Sequence, residues 1–185
     1  MIKLSIEEKI YNEVKSRCQK STNVYGIGAW DHHIKVVYEL AKKYASEYGA
    51  SEEIVSIAAL LHDIGIFLTD APRIHCYGTA PYICHGYYGA ELLRMEGLFK
   101  HARVCERHTG VGLTKELIMD SGWPLPFMDF IPQTLEEQLI CFADKFYSKT
   151  RYLEKARTMQ QVVDSMEKIS QEAVRKVKEW ALIFG

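Results

Sequence analysis

The chain has 185 residues, 23 basic and 24 acidic side chains, and a net charge of -1. That balance, with no long block of one sign, argues against strong nonspecific attraction to nucleic acid. No run of about 18 apolar residues occurs, which argues against a membrane span. Apolar content of 48% and charged content of 25% are ordinary for a globular protein.

Helical periodicity dominates the chain. Ser5 and Glu8 fit a capping box that opens a first helix to about Cys18. This N-terminal stretch is amphipathic and acidic, unlike a signal peptide. Asn23 to Gly28 reads as a loop, and Asp31 as the cap of the next helix. The inward stripe of that helix is Ile34, Val37, Tyr38, Ala41, Ala45 and Tyr48. Ser51, with Glu52 and Glu53 behind it, starts a third helix through IVSIAALLHD. That segment is apolar nearly all round and is expected at the centre of a bundle.

Residues 66–82, with Pro72, Gly78 and Pro81, read as a long loop of the kind that often carries function. Helices are expected from about Ile83 to Glu96 and from about Leu98 to His108, stopped by Gly110 and Gly112. A short helix near Lys115 to Asp120 leads into the extended stretch GWPLPFMDFIP. Thr134 and Glu137 form a second capping box, heading a helix through about Lys149. A long final helix ends at Phe184, with Val163, Met166, Ile169, Val174, Val177 and Trp180 on or near one face. No strand, internal repeat or low-complexity segment stands out, so the expected fold class is all-α. Five cysteines, Cys18, Cys76, Cys84, Cys105 and Cys141, form no C-x-x-C pair. They read as reduced thiols of a cytoplasmic protein.

Six potential metal ligands follow in order: His33, the pair His62 and Asp63, then His85, His108 and Asp144. His33 shares the inward stripe with Val37, and His62 follows Val55, Ala58 and Ala59 on the central helix. His85 aligns with Gly89 and Leu92, and His108 with Val104 and Cys105. Asp144 lies in the apolar segment LICFADKFY. An ionised carboxylate in an apolar helix core is costly unless paired or bound to a metal. Any one of these residues alone reads as a core or surface side chain. One cation, or two, would satisfy all six together, in the way that bundle cores hold ions between facing helices.

Here the sequence resembles a known family. LLHDIG at 60–65 resembles the HDIG signature of the HD superfamily of metal-dependent phosphohydrolases, His33 in HHIKVVYELA its first histidine, and FADK at 142–145 its last aspartate. HGYYGAELL and ERHTGVGLT are similar to the segments that supply the extra histidines of binuclear members. The resemblance covers roughly residues 28 to 149 and is also similar to the HD enzymes that split diadenosine tetraphosphate symmetrically. A single histidine before Thr109 departs from the HD-GYP pattern. The resemblance implies one HD-domain helical bundle over 1–185, with terminal helices packed on the core. It implies a first divalent ion on His33, His62, Asp63 and Asp144, and a second on His85 and His108 with Asp63 bridging. Iron or manganese is favoured, with zinc, nickel, cobalt and magnesium also compatible.

The implied activity is hydrolysis of a small phosphorylated substrate, a nucleotide or dinucleoside polyphosphate, by a metal-activated water. Asp63 would orient that water and serve proton transfer. Lys145 and Arg107 would bind phosphate oxygens, with a solvated helix face the blander reading for Lys145 and for Arg103. His32 and His101 read as non-ligands, and His75 as a solvent-exposed loop residue in preference to a substrate contact. Trp123, Phe127 and Phe130 would form either a substrate wall or, better supported, a packing clamp. A di-iron oxygenase with Tyr25 near its site, and a non-catalytic nucleotide or metal sensor, are the alternatives. No nucleic-acid or membrane partner is expected, and a homodimer is left open.

Overall fold

The stripe expected on the second helix is what seats it: Ile34, Val37, Ala41 and Ala45 are fully buried. The computed structural model describes residues 24–147 and 155–185, together with Asn12 and Ser16. The Ser5–Glu8 capping box and the helix to Cys18 lie outside the described residues. Eight helices occur among the described residues. They are α1 (Val24–Tyr48), α2 (Glu52–Leu61), α3 (His85–Met95) and α4 (Phe99–Arg107), then α5 (Lys115–Ser121), α6 (Leu135–Asp144), α7 (Met159–Glu167) and α8 (Gln171–Phe184). The all-α expectation holds, and α2 packs against α1, α4 and α6.

Some boundaries differ from those expected. Residues 24–28 are helical, not a loop, and Asp31 sits inside α1, paired with Lys35 at 2.9 Å. Glycines in a helix cost about 1 kcal/mol each, which long apolar helices absorb. By contrast Ser51 caps α2 as expected, accepting from the Ile54 N–H at 3.4 Å. Its own N–H donates to Glu136 Oε1 at 3.2 Å, which ties the head of α2 to α6. Every residue from Val55 to Leu61 is buried.

The loop at 66–82 is ordered. A 3₁₀ turn at Ile64–Leu68 feeds β1 (Thr69–Ala71), which pairs antiparallel with β2 (Cys76–Tyr77) and parallel with β3 (Ala80–Pro81). Strands this short show no period-two pattern, so none was expected. A 3₁₀ turn at Pro72–Ile74 joins β1 to β2 and ends on His75, whose φ of 58° is left-handed. Gly78 closes the sheet: its N–H donates to Thr69 O at 2.9 Å, and a Cβ there would lie 2.1 Å from the Leu68 carbonyl carbon.

The expected single C-terminal helix is two. Ser170 accepts from the Ala173 N–H at 3.0 Å and starts α8 afresh, since serine offers the backbone a cap in place of another helical turn. Ile169, in the break, is accordingly exposed, while Val163, Met166, Val174, Val177 and Trp180 are buried. Helix α6 ends at Asp144, earlier than Lys149, and residues 148–154 are outside the described set. The Thr134 box is half realised. Thr134 accepts from the Glu137 N–H at 3.3 Å, but the Glu137 carboxylate serves Gln133 and two arginines. Among the described residues no helix is long and apolar enough to cross a membrane.

Candidate metal centre

The six side chains expected to converge do converge. His33 comes from α1, His62 and Asp63 from the end of α2, His85 from the start of α3, His108 from the end of α4, and Asp144 from the end of α6. All but Asp144 are nearly or fully buried. His33 Nε2 lies 3.1 Å from Asp144 Oδ1 and 3.4 Å from Asp63 Oδ2. His62 Nε2 lies 3.5 Å from each of the same two oxygens. The other Asp63 oxygen, Oδ1, faces His85 Nε2 at 3.5 Å and His108 Nε2 at 3.4 Å. One carboxylate is thus shared between two histidine pairs.

The outward ring nitrogens fix the chemistry of the inward ones. His62, His85 and His108 donate from Nδ1 to the carbonyls of Ala59, Tyr82 and Cys105 at 2.8, 2.7 and 2.6 Å. With Nδ1 protonated, each Nε2 presents a lone pair to the centre. Yet His85 and His108 face each other through Nε2 at 3.1 Å, and His33 and His62 at 3.3 Å. For His85 and His108, whose Nδ1 atoms are both committed as donors, the opposed lone pairs repel. Donors bonded at about 2.1 Å to a shared cation would stand roughly 3.0–3.4 Å apart. The donor set therefore fits divalent metal. Burial also lowers the His108 pKa, only partly offset by Asp63, which favours the neutral imidazole a metal needs.

Backbone contact sets the spacing of the two halves. A Cβ on Gly65 would lie 2.1 Å from His85 O and 2.5 Å from Gly89 N. One on Gly89 would strike Cys105 Sγ at 2.6 Å. The chain after Asp63 therefore lies flush on α3, which in turn lies flush on α4.

Of the phosphate-binding residues expected, Lys145 reaches the site and Arg107 does not. Lys145 is buried, not solvated; its Nζ donates to Asp144 Oδ2 at 2.6 Å and to His108 O at 3.0 Å. Arg107 points instead to Glu137, Nη1 to Oε2 at 3.0 Å, and Arg103 donates from Nε to the other oxygen of Glu137 at 2.9 Å. That partner lies thirty residues from Arg107 in the chain, so no local pattern announced it. Burial raises the Glu137 carboxyl pKa, but the Gln133 N–H and the two guanidiniums outweigh it and hold the carboxyl below its usual range.

A cavity of about 530 Å³ opens beside the cluster, reaching it at Asp144 and Lys145. Tyr82, in its wall, stacks on the His85 ring at 4.6 Å between centroids. Sequence reasoning missed Arg73, Tyr82, Tyr147 and Arg157 as wall residues. Tyr147 carried a signal, one helical step beyond Asp144. The arginines did not, because their segments meet only in the folded chain. Phe130 and Trp123 belong to a packing cluster with Leu113, Ile118 and Leu125, and Phe127 is exposed. His32, His75 and His101 are not part of the cluster. The Tyr25 side chain lies outside the description.

Comparison with known proteins agrees with this geometry. The chain is 34% identical over 149 residues to the tRNA (cytidine(56)-2'-O)-methyltransferase of Thermoplasma volcanium, covering 78% of this chain but 39% of that protein. It is 32% identical to the enzyme of the same name from Picrophilus torridus, covering 73% of this chain and 35% of that one. More than half of each methyltransferase has no counterpart here. An uncharacterised protein of Methanocaldococcus jannaschii is 34% identical, covering 80% of this chain and 78% of its own length. Among solved structures, the HD domain of the L. monocytogenes phosphodiesterase PgpH matches with a TM-score of 0.54 at 17% identity, covering 90% of this chain and 93% of that one. The HD domain family matches over residues 30–148, a span that holds all six convergent ligands; the chain belongs to that family.

Proposed function

We propose that the chain is a metal-dependent phosphohydrolase acting on a small phosphorylated molecule, a nucleotide, with two divalent cations of which iron and manganese suit the donors best. The observation that carries this reading is the division of the Asp63 carboxylate, Oδ2 toward His33 and His62 and Oδ1 toward His85 and His108. His33, His62 and Asp144 would hold one ion with Asp63, and His85 and His108 the other. Bound there, paired ions acidify water and neutralise phosphoryl oxygens during in-line displacement.

The remaining work falls to the chain. Asp63 orients the attacking water and serves proton transfer. Lys145 occupies one oxygen of Asp144 and leaves the other to the cluster. Lys145 also lines the cavity, and its ammonium would serve a phosphoryl oxygen there. The solved PgpH domain that shares this fold was captured with cyclic-di-AMP, so the fold accommodates a phosphorylated nucleotide. The buried free thiols suit a reducing compartment such as the cytoplasm.

Phosphate release is the test, measured over nucleotides, dinucleoside polyphosphates and cyclic dinucleotides with iron, manganese, cobalt or nickel supplied. Turnover that disappears in Asp63→Ala is expected. No turnover with any metal would sink the proposal.

A further inference from the structure

Two cavity arginines have no part in the chemistry above. Arg73 stands on the turn at Pro72–Ile74, and Arg157 precedes α7. Of the other arginines in the described residues, Arg94, Arg103, Arg107 and Arg175 each pair with glutamate. Arg73 and Arg157 have no ion-pair partner among the described residues. Among the described residues, the two unmatched guanidiniums thus line the same cavity, the one that reaches the metal cluster at Asp144 and Lys145.

Both are carried on anchored backbone. The Arg73 turn is clamped at its ends by the pairing of Ala71 with Cys76. The Arg157 N–H donates to Phe146 O at 2.7 Å, which fixes it beside the end of α6. The Lys145 charge is already balanced by Asp144. Asp70, also in the wall, offers carboxylate oxygens that repel phosphate and accept from hydroxyls. Tyr82 and Tyr147 line the same cavity, Tyr82 with one ring face already stacked on His85.

Resting on the proposed phosphohydrolase, we infer that the substrate is a nucleotide with two separate phosphate groups, one at the metal cluster and the second held by Arg73 and Arg157. Guanidinium forks bind phosphate bidentately, and two of them suit a dianion better than a neutral group. The sugar hydroxyls lie toward Asp70 and the base toward the tyrosines. A cavity of about 530 Å³ is the size of one drug-sized ligand, which favours a single nucleoside over two.

Calorimetry on manganese-loaded protein tests this without requiring turnover, with adenosine 3',5'-bisphosphate and adenosine 5'-monophosphate as probes. The bisphosphate should bind about ten- to hundred-fold more tightly in the wild type. Arg73→Ala and Arg157→Ala should each remove most of that preference while leaving monophosphate affinity and metal content unchanged. Arg157→Lys, which keeps the charge but not the fork, should keep part of it. Equal affinity for the two probes in the wild type, or variants that weaken both equally, would overturn the inference. The two readings fail separately. An arginine-dependent preference in a protein that hydrolyses nothing keeps the substrate class and removes the activity. Hydrolysis without any preference does the reverse.

Discussion

Cys105 Sγ lies 3.0 Å from the carbonyl oxygen of His62, so a buried thiol on α4 caps the end of α2 where the first ligand pair sits. Cys141 does the same for His108, at 3.3 Å. Burial raises both thiol pKa values, that of Cys141 to about 12; at Cys105 the charges of Asp63 and Glu106 add to it. Native protein should therefore resist alkylation at these two positions and react once unfolded, as read by mass spectrometry. Cys105→Ala leaves the His62 carbonyl unmet at a cost of about 1–3 kcal/mol. That corresponds to a Tm drop of roughly 2–4 °C per kcal/mol, while Cys105→Ser keeps a donor and should lose less. Rapid alkylation of the folded protein would refute the protected-thiol picture.

Metal counting separates the halves of the centre. Asp63→Ala removes the oxygen that each half uses, and both ions should be lost or loosened. His85→Ala strips only the second half, and half the metal should remain. The Asp63 variant should also lose more thermal stability, since bound metal stabilises the fold by mass action. Equal stoichiometry in wild type and His85→Ala would leave a mononuclear site.

Glu137 tests whether Arg107 is structural. Its carboxylate is buried and takes hydrogen bonds from Arg103, Arg107 and the Gln133 N–H. Glu137→Gln removes the charge that balances Arg107, which should cost about 3–5 kcal/mol in chemical denaturation. Arg107→Gln should likewise lower stability yet leave KM unchanged. A raised KM with normal stability would return Arg107 to phosphate binding.

The pH dependence has a fixed sign. Burial lowers the pKa of His108 and of His101 from the ordinary 6.5. Below that value the unfolded chain binds protons that the folded chain resists. The stability these residues contribute is complete above pH 6.5 and is lost as pH falls toward their lower folded values. Urea midpoints of metal-free protein should therefore fall between about pH 7.5 and about pH 5.5, and His101→Gln should flatten part of the fall. A midpoint that rises on acidification would contradict the assignment.

The ligands were legible because each lies on an apolar helix face, where a lone charge is conspicuous. The all-helical fold followed from the same periodicity. What escaped depends on partners distant in the chain. Lys145 was expected at the site, but its burial rests on the His108 carbonyl, 37 residues away, and Arg107 looks free until Glu137 arrives from α6. The arginine pair needed the strap at 69–81 folded into a sheet and the segment before α7 laid beside it. Neither event leaves a trace in local spacing.

The seating of Gly65 on His85 and Gly89 turns the last letter of His62-Asp63-Ile64-Gly65 from spelling into a gauge. Histidine and aspartate name the donors, but the glycine sets how far the next pair of donors stands from them. A related chain that keeps the donors and carries any side chain at that place must lift α3 away, taking its histidine out of reach of the shared carboxylate. In this chain that letter, as much as the donors, keeps both histidine pairs on one carboxylate.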